Sequence, residues 1–284
     1  MPSTLITVAP TGAESAKADV PALPVTLGEL VATARACEAA GAAVVHVHIR
    51  DSRAEPTLDL GLLTETVAAL RETDLVVQLS TGGSVHDPYP DRLKVLDAGP
   101  DACSLTCGTV NFGDDVFMNP WGFVAELYQE TQARGIVPEF ELFDLGHVAT
   151  MNRLLDRFGP PSGGRVHCDL VMGVPGGFTG DLRTVAAAVS LLPPEATWSA
   201  TGIGRESLRV MFAALAGGGH LRVGMEDTLT YAKGRPVRGN EELVARAAEA
   251  ARLAQRPPMS TAEARAFLGI RRAPAPGPTA RKGP

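Results

Sequence analysis

Short apolar segments alternate along this chain with longer amphipathic ones. The short segments are rich in β-branched residues and end in Gly, Pro, Ser or Thr, which is typical of buried strands. The longer segments repeat their apolar residues at helical spacing, and several of them end at a glycine. Alternation of this kind predicts parallel strands joined by helical crossovers.

Eight strand-then-helix units can be assigned in order. The predicted strands are 4–9, 44–49, 75–80, 102–107, 137–143, 165–172, 196–200 and 220–223. The predicted helices are 26–41, 58–73, 89–98, 120–134, 147–158, 181–192, 206–216 and 241–255. Thr26 and Glu29 fit a capping box at the first helix, Asn240 is a candidate N-cap of the last, and a short further helix is expected within 257–270.

Eight such units suit one closed barrel. A (β/α)8 barrel needs roughly 250 residues. An open doubly wound sheet is the alternative, but it predicts a Gly-rich dinucleotide turn after the first strand, where this chain reads Pro10-Thr-Gly-Ala-Glu14. We therefore expect an α/β fold, a single (β/α)8 TIM-barrel domain over residues 1–270. Residues 271–284 are rich in Pro, Gly and basic residues and are expected to form a disordered tail.

Composition narrows the functional class. The chain has 284 residues and a formal net charge of −6, which argues against nucleic acid or an anionic membrane as the main partner. Its four cysteines, Cys37, Cys103, Cys107 and Cys168, form no C-x-x-C pair, so free thiols in a reducing compartment are expected. No secretory signal pattern or membrane-length apolar run is evident, and we expect a cytoplasmic protein.

The second predicted strand contains His46 and His48. Residues two apart on a strand point to the same face, roughly 6.5 to 7 Å apart, so two imidazoles at this spacing can converge on one ion. The alternative is a pair of core histidines hydrogen-bonded to neighbouring carbonyls.

Polar residues gather where the predicted strands end. In a barrel, catalytic groups come from the carboxyl ends of strands, and buried charges are costly unless they are paired or bound to metal. These positions are Glu14, His46, His48, Arg50, Asp51, Ser80, Thr81, Thr106, Asn111, Glu139, Glu141, Asp144, Thr201, Arg205, Arg222, Glu226 and Asp227.

Glu226 is the best candidate for a third metal ligand. Two histidines and a carboxylate with an open position suit a catalytic divalent ion, zinc first by ligand type. Non-haem iron or another divalent transition metal uses a similar set. Arg222 is a candidate carboxylate or oxyanion binder oriented by Asp227, with a structural ion pair as the alternative.

Two Gly-containing turns are candidate binding loops. Ser80-Thr81-Gly82-Gly83 offers a hydroxyl and backbone N–H groups, which suit a carboxylate or oxyanion of the substrate. Gly202, Gly204 and Arg205 follow the seventh strand, where barrels often hold a phosphate, and are candidates for cofactor binding. A tight turn is the alternative at this second position.

Several motifs together resemble the β-keto acid cleavage enzymes. They occur in order along the chain: Ala9-Pro-Thr-Gly-Ala-Glu14, His46-Val-His-Ile-Arg-Asp51, Gln78-Leu-Ser-Thr-Gly-Gly83, Pro138-Glu-Phe-Glu-Leu-Phe-Asp144, Gly173-Val-Pro-Gly-Gly177 and Arg222-Val-Gly-Met-Glu-Asp227. The segment 104–112 departs from the family pattern at Thr106 and Thr109, which leaves the substrate subclass open.

This resemblance implies a zinc-bearing barrel, usually a homotetramer. It implies an acyltransferase that converts a β-keto acid and the co-substrate acetyl-CoA into acetoacetate and a new CoA thioester by Claisen and retro-Claisen steps. By resemblance, His46, His48 and Glu226 would hold zinc. Arg222 and Asp227 would form a catalytic dyad, with Glu141 as a further acidic group, and Ser80 and Thr106 would position substrate.

Glu14 would face the far end of the substrate by the same resemblance. A carboxylate there suits a cationic tail, because a cation removed from water needs a partner. The alternative is that Glu14 pairs with Lys17, Arg50 or another basic side chain. Two rival functions remain: an amidohydrolase-like metal-dependent hydrolase, in which His-x-His usually lies on the first strand, and a barrel without enzymatic activity.

Overall fold

The computed structural model describes residues 3–270, so the expected tail at 271–284 lies outside the described residues. Eight parallel strands close into a barrel in the order in which they occur along the chain. The first strand pairs with the last, Ile6 beside Leu221, and with the second, Thr7 beside Val44. An open sheet is thereby excluded, and the predicted TIM barrel is confirmed.

The strands and helices lie close to their predicted positions. The barrel strands are β1 Ile6–Val8, β2 Val44–Val47, β3 Val76–Leu79, β4 Ala102–Thr106, β5 Val137–Leu142, β6 His167–Met172, β7 Thr197–Gly202 and β8 His220–Val223. The helices are α1 Leu27–Ala40, α2 Leu60–Leu70, α3 Tyr89–Lys94, α4 Trp121–Arg134, α5 Leu145–Phe158, α6 Leu182–Ser190, α7 Ser207–Ala216, α8 Asn240–Leu253 and α9 Thr261–Leu268.

Helix α1 begins as predicted, but α8 does not. Thr26 and Glu29 form the expected capping box. Gly239, rather than Asn240, precedes the first turn of α8. The Asn240 amide instead accepts from the backbone N–H of Met225 and donates to the carbonyl of Pro10. It is buried between the loops that follow β8 and β1, where two backbone groups need partners.

Alternate residues of each strand face opposite sides of the barrel wall. Outward residues such as Val45 and Val47 of β2 belong to the main apolar core between strands and helices. At the lower end, the strands contribute a smaller apolar cluster that includes Leu5, Val44 and Val137 together with Leu268 of α9.

Helix α9 covers the lower end of the barrel, at the amino ends of the strands. The Phe267 ring lies 5.9 Å from the ring of His167 and 4.9 Å from that of His220. Arg265 donates to the carbonyl of Leu75 at 2.8 Å and to Asp101 at 3.0 Å, which fixes the helix against the barrel. The opposite end, where the strands end, is therefore the mouth.

Three short hairpins near the mouth were not predicted from the sequence. They follow β2, β4 and β8, and they pair Ile49–Arg50 with Pro56–Thr57, Val110–Phe112 with Asp115–Phe117, and Thr230–Ala232 with Arg235–Pro236. The four cysteines are buried and form no disulfide, as expected. Across residues 3–270, none of the helices has the length and apolar character needed to span a bilayer.

Candidate active site

His46, His48 and Glu226 come together at the mouth of the barrel, as predicted. His46 lies in β2, and His48 lies one residue beyond the end of that strand. The Nε2 atoms of His46 and His48 are 3.8 and 3.6 Å from Oε1 of Glu226. One ligand atom from each residue lies within 4.8 Å of the others, which suits a single metal ion.

The charges of this cluster favour a metal ion. Burial, followed by the nearby charge of Arg222, lowers the pKa of His46 to about 4, and burial also lowers the pKa of His48. Both rings are therefore neutral at pH 7, as metal binding requires. Among residues 3–270, Oε2 of Glu226 is buried without a hydrogen-bond partner, so the carboxylate keeps an acceptor atom for a cation. The three side chains fit a divalent metal.

Arg222 of β8 is surrounded by three carboxylates. It donates to Oδ1 of Asp227 at 3.0 Å, to Oε1 of Glu141 at 3.2 Å and, through a very short contact, to Glu226. Thr106 in turn donates to the second oxygen of Glu141 at 2.8 Å. The predicted pairing of Arg222 with Asp227 is present, and Glu141 and Thr106 extend it towards β4 and β5.

This group carries more negative than positive charge. Burial raises the pKa of Asp227 to about 7 even though Arg222 opposes the rise. Burial also raises the pKa of Glu141. Arg222 stays protonated, since its carboxylate neighbours raise its pKa well above the ordinary value. Asp227 can therefore gain or lose a proton near neutral pH beside a guanidinium that stays charged.

Close contact between the loops after β1 and β8 positions Glu226. The backbone N–H of Glu226 donates to the carbonyl of Ala9 at 3.1 Å. A Cβ at Gly224 would lie 1.9 Å from that carbonyl oxygen, so the approach requires glycine. The sequence signal for this contact is the glycine immediately before Met-Glu-Asp227.

The Ser80–Gly83 turn lies at the end of β3 and is partly used within the protein. Ser80 accepts from the backbone N–H of Gly82 at 3.2 Å. The Thr81 hydroxyl donates to the carbonyl of Ser104 at 2.8 Å, so it holds β3 to β4. Gly83 adopts a left-handed backbone conformation with φ of 59°. The Thr81 hydroxyl is thus used as a donor within the protein, whereas the Ser80 oxygen is seen only as an acceptor.

The turn after β7 combines a tight backbone with one exposed cation. A Cβ at Gly202 would lie 2.7 Å from the backbone of Ser207, which leaves room only for glycine. Gly204 donates its N–H to the carbonyl of Asp227 at 2.7 Å, which links this turn to the dyad. The Arg205 side chain is 92% exposed and lies beside Glu206. The Arg205 guanidinium is therefore open to solvent.

Glu14 is exposed on the loop after β1. Lys17 pairs with Glu29 at 2.7 Å instead. Arg50 donates to the carbonyls of Gly12 and Ser15 and fixes the shape of the loop. Among the described residues Glu14 makes no hydrogen bond or salt bridge, although its charge is felt by Arg50. The suggested pairing with Lys17 is not formed.

Asp169 is a buried acidic residue that sequence reasoning missed. It lies on β6 beside Glu141 of β5, is fully buried and accepts from Thr201 at 2.6 Å. Burial raises its pKa well above the ordinary value, and its Oδ1 has no hydrogen-bond partner within the part of the chain that the structure describes. The available signal was a single aspartate within the apolar segment 168–172.

The fold and this site define a (β/α)8-barrel enzyme with a candidate divalent-metal centre at its mouth. The sequence profile of the beta-keto acid cleavage enzymes, the BKACE family, matches residues 3–270. The chain belongs to that family.

Characterised relatives match nearly end to end. The 3-keto-5-aminohexanoate cleavage enzyme of Acetoanaerobium sticklandii is 34% identical over 273 residues, which cover 95% of this chain and 99% of the relative. The 3-oxoadipate:acetyl-CoA acetyltransferase of Cupriavidus necator is 34% identical over 271 residues, 94% of each chain. Enzymes of this family thus include acetyl-CoA-dependent transferases.

A solved structure supports the fold. The apo structure of ObcA superposes with a TM-score of 0.75 at 22% identity, covering 88% of this chain. The match spans 66% of the ObcA chain, about two thirds of its length. At this level of identity the likeness concerns the barrel alone.

Proposed function

We propose that this protein catalyses the acetyl-CoA-dependent cleavage of a β-keto acid. In this reaction, the CH2–COO⁻ unit of R–CO–CH2–COO⁻ is joined to the acetyl group to give acetoacetate, and R–CO is transferred to CoA. The observation that carries the proposal is the convergence of His46, His48 and Glu226 with the Arg222–Asp227 pair at the mouth of a barrel of this family.

The three-residue cluster is proposed to bind zinc or another divalent transition metal. When bound there, such an ion supplies Lewis-acid stabilisation of negative charge on a carbonyl oxygen. Support comes from the neutral histidines and from the unpartnered oxygen of Glu226.

Asp227 is proposed to take the proton from the carbon between the keto and carboxylate groups. Arg222 holds Asp227 through two N–H groups, which fixes the direction of the carboxylate. Because an arginine remains protonated, Arg222 also stabilises negative charge that develops nearby. Glu141 accepts a hydrogen bond from another N–H group of Arg222, and Thr106 donates to the second oxygen of Glu141, so both contacts help to fix the guanidinium.

The remaining candidates are assigned to the two substrates. The Ser80 hydroxyl and the backbone N–H of Gly83 are proposed to bind the keto acid, because the N–H groups of Thr81 and Gly82 already donate to Ser104 and Ser80. Arg205 with the Gly202–Gly204 turn is proposed to bind a phosphate of acetyl-CoA. An exposed arginine at the mouth suits a phosphate that remains partly in solvent.

Glu14 is proposed to select a cationic substrate tail, such as an amine or a quaternary ammonium. Its carboxylate is exposed and unpaired among the described residues, so it is available to a ligand. The loop that carries it contacts Glu226 through Gly12, which places the loop beside the metal-binding cluster. A relative that acts on 3-keto-5-aminohexanoate is in keeping with this proposal.

We further propose a cytoplasmic homo-oligomer, a tetramer as the family resemblance implies, with one barrel domain per chain. Size-exclusion chromatography with light scattering tests the oligomeric state.

Isotope transfer tests the reaction. Purified protein is incubated with acetyl-CoA labelled with ¹³C in both acetyl carbons and a panel of β-keto acids, and products are followed by mass spectrometry. We expect acetoacetate labelled at carbons 3 and 4 and an unlabelled new thioester. An amidohydrolase-like hydrolase would instead act without acetyl-CoA and leave the label in the thioester. No turnover of any β-keto acid would contradict the proposal.

A further inference from the structure

A line of buried hydrogen bonds leads from His46 into the barrel, away from the mouth. Nδ1 of His46 lies 2.6 Å from Oε1 of Gln78, and Nε2 of Gln78 donates to Oε2 of Glu139 at 2.8 Å. The other Glu139 oxygen is 3.4 Å from Nε2 of His167. Each of these four residues is at most 5% exposed. The proposed reaction assigns no role to Gln78 or Glu139.

Strand register makes this line possible. His46 and Gln78 are paired neighbours on β2 and β3. Glu139 lies on β5, beyond β4, and the residue of β4 paired with Gln78 is Ala102. The small side chain of Ala102 leaves room for the amide to reach Glu139. Gln78, Ala102 and Glu139 all line one small cavity of about 10 Å³.

Glu139 determines which way the Gln78 amide points. A carboxylate only accepts hydrogen bonds, so the NH2 group of Gln78 faces Glu139 and its oxygen faces His46. An amide oxygen also only accepts, so Nδ1 of His46 must carry the ring proton. Nε2, the atom 3.8 Å from Glu226, then has the free lone pair that a metal requires.

The surroundings of Glu139 keep it ionised and acceptor-only. Burial opposes its ionisation, but hydrogen bonds from His167 and Gln78 and the nearby charge of Arg222 outweigh burial and lower its pKa. His167 also lies 2.9 Å from Thr197 and 3.1 Å from Ser199, which fixes its ring. Glu139 is therefore held between His167 and Gln78, and the orientation of the Gln78 amide is fixed with it.

We propose that Gln78 is a positioning residue of the metal site, and that Glu139 acts through it to hold His46 in the Nδ1-protonated tautomer. The inference rests on the metal-dependent function proposed above. Partners that orient a metal-binding histidine typically change metal affinity by about 10- to 100-fold. A merely structural role predicts lower stability of the fold with unchanged affinity for metal.

Metal affinity is the first test. Zn²⁺ dissociation constants of the full-length protein are measured by competition with a chromophoric chelator, after circular dichroism confirms folding. We expect Gln78→Leu to bind about 10- to 100-fold more weakly and Glu139→Gln about 10-fold more weakly. The control, Thr131→Val, loses a buried hydrogen bond of 2.7 Å on α4, outside the barrel, and should keep the wild-type constant.

The tautomer is the second test, and it requires no metal. Long-range ¹H–¹⁵N correlation of metal-free, ¹⁵N-histidine-labelled protein should show His46 protonated at Nδ1 in the wild type and at both positions in exchange in Glu139→Gln. Equal Zn²⁺ affinity in the wild type and both variants, or a wild-type His46 protonated at Nε2, would overturn the inference alone. A wild type that binds no Zn²⁺ would overturn the metal-dependent function, and this inference with it.

Discussion

Gly12 packs directly against Glu226: a Cβ on residue 12 would lie 2.6 Å from Cγ of the glutamate. Gly12 also adopts φ of 64°, in the left-handed region that favours glycine. The loop after β1 therefore supports the Glu226 carboxylate, which we propose binds metal, from one side, and the shape of the loop depends on the absence of a side chain.

Gly12→Ala should lower both stability and metal affinity. The backbone strain of a non-glycine residue at this φ costs about 1–3 kcal/mol, and the new methyl group must also displace Glu226. Gly99→Ala is a matched control, since Gly99 has φ of 67° but open space around its Cβ. Urea unfolding should show a loss in both variants, whereas chelator competition should show weaker Zn²⁺ binding only in Gly12→Ala. Equal Zn²⁺ affinity in the two variants would contradict the packing argument.

His48→Ala should reduce the metal content of the purified protein. Removing one of three protein ligands leaves the ion with two, which is too few for stable binding. Inductively coupled plasma mass spectrometry measures the zinc-to-protein ratio, with the exposed His86→Ala as the control. His46→Ala should behave like His48→Ala. Wild-type zinc content in both variants would remove the two histidines from the site.

Asp227→Asn should retain metal and lose turnover. The change keeps the shape of the side chain but removes both the proposed base and the negative charge that orients Arg222. Loss of a general base typically costs about 10²- to 10⁴-fold in rate. Steady-state kinetics compares it with the exposed Asp156→Asn on α5. Turnover near the wild-type rate would show that the pair with Arg222 is structural.

Glu14→Gln should raise KM for a cationic β-keto acid more than for a neutral one of equal length. The reason is that only the cationic tail gains from the carboxylate, while the shape of the side chain is preserved. Glu126→Gln, an exposed position on α4, is the control. Equal changes in KM for both substrates, or a wild-type preference for apolar tails, would exclude the proposed role of Glu14.

His220→Asn should weaken the acid sensitivity of the fold. Burial lowers the pKa of His220 from 6.5 to about 3, so between these values the unfolded chain binds a proton that the folded chain does not. The free energy of unfolding therefore falls as the pH falls through this window, by up to about 1.4 kcal/mol per pH unit. Asparagine does not titrate, yet its oxygen can still accept from the N–H of Leu5, as Nδ1 of His220 does.

Urea unfolding at pH 7, 6, 5 and 4 measures this slope in the wild type and in His220→Asn. His46 and His48 are present in both proteins, so their contribution cancels in the comparison. Parallel stability curves for the two proteins would show that His220 is not responsible.

The barrel could be predicted from the sequence because eight strands and their helices recur with clear periodicity. The His-x-His pair was recognisable because residues two apart on a strand share a face. His48 itself lies beyond the end of β2, yet its ring centroid is still 5.3 Å from that of His46. Short-range spacing was therefore sufficient to predict that these two histidines lie together.

Contacts between distant parts of the chain could not be predicted in the same way. Arg222 meets Glu141, 81 residues earlier, only because the barrel closes. Gln78 reaches His46 through strand register, which no local pattern specifies. The hairpins at the mouth have strands of two or three residues, too short for a periodic signal. Asn240 suits a helix cap by type, but burial between two loops determines its partners.

Helix α9 closes the floor of the barrel, with Phe267 below His167 and His220. Among residues 3–270, this helix covers the end of the barrel opposite Glu226, so the two substrates of the proposed reaction are expected to enter by the mouth. A long thioester bound across the mouth would block the exit of a shorter keto acid bound deeper in the barrel. We therefore expect ordered binding and release. The keto acid binds before acetyl-CoA, and acetoacetate leaves after the new thioester.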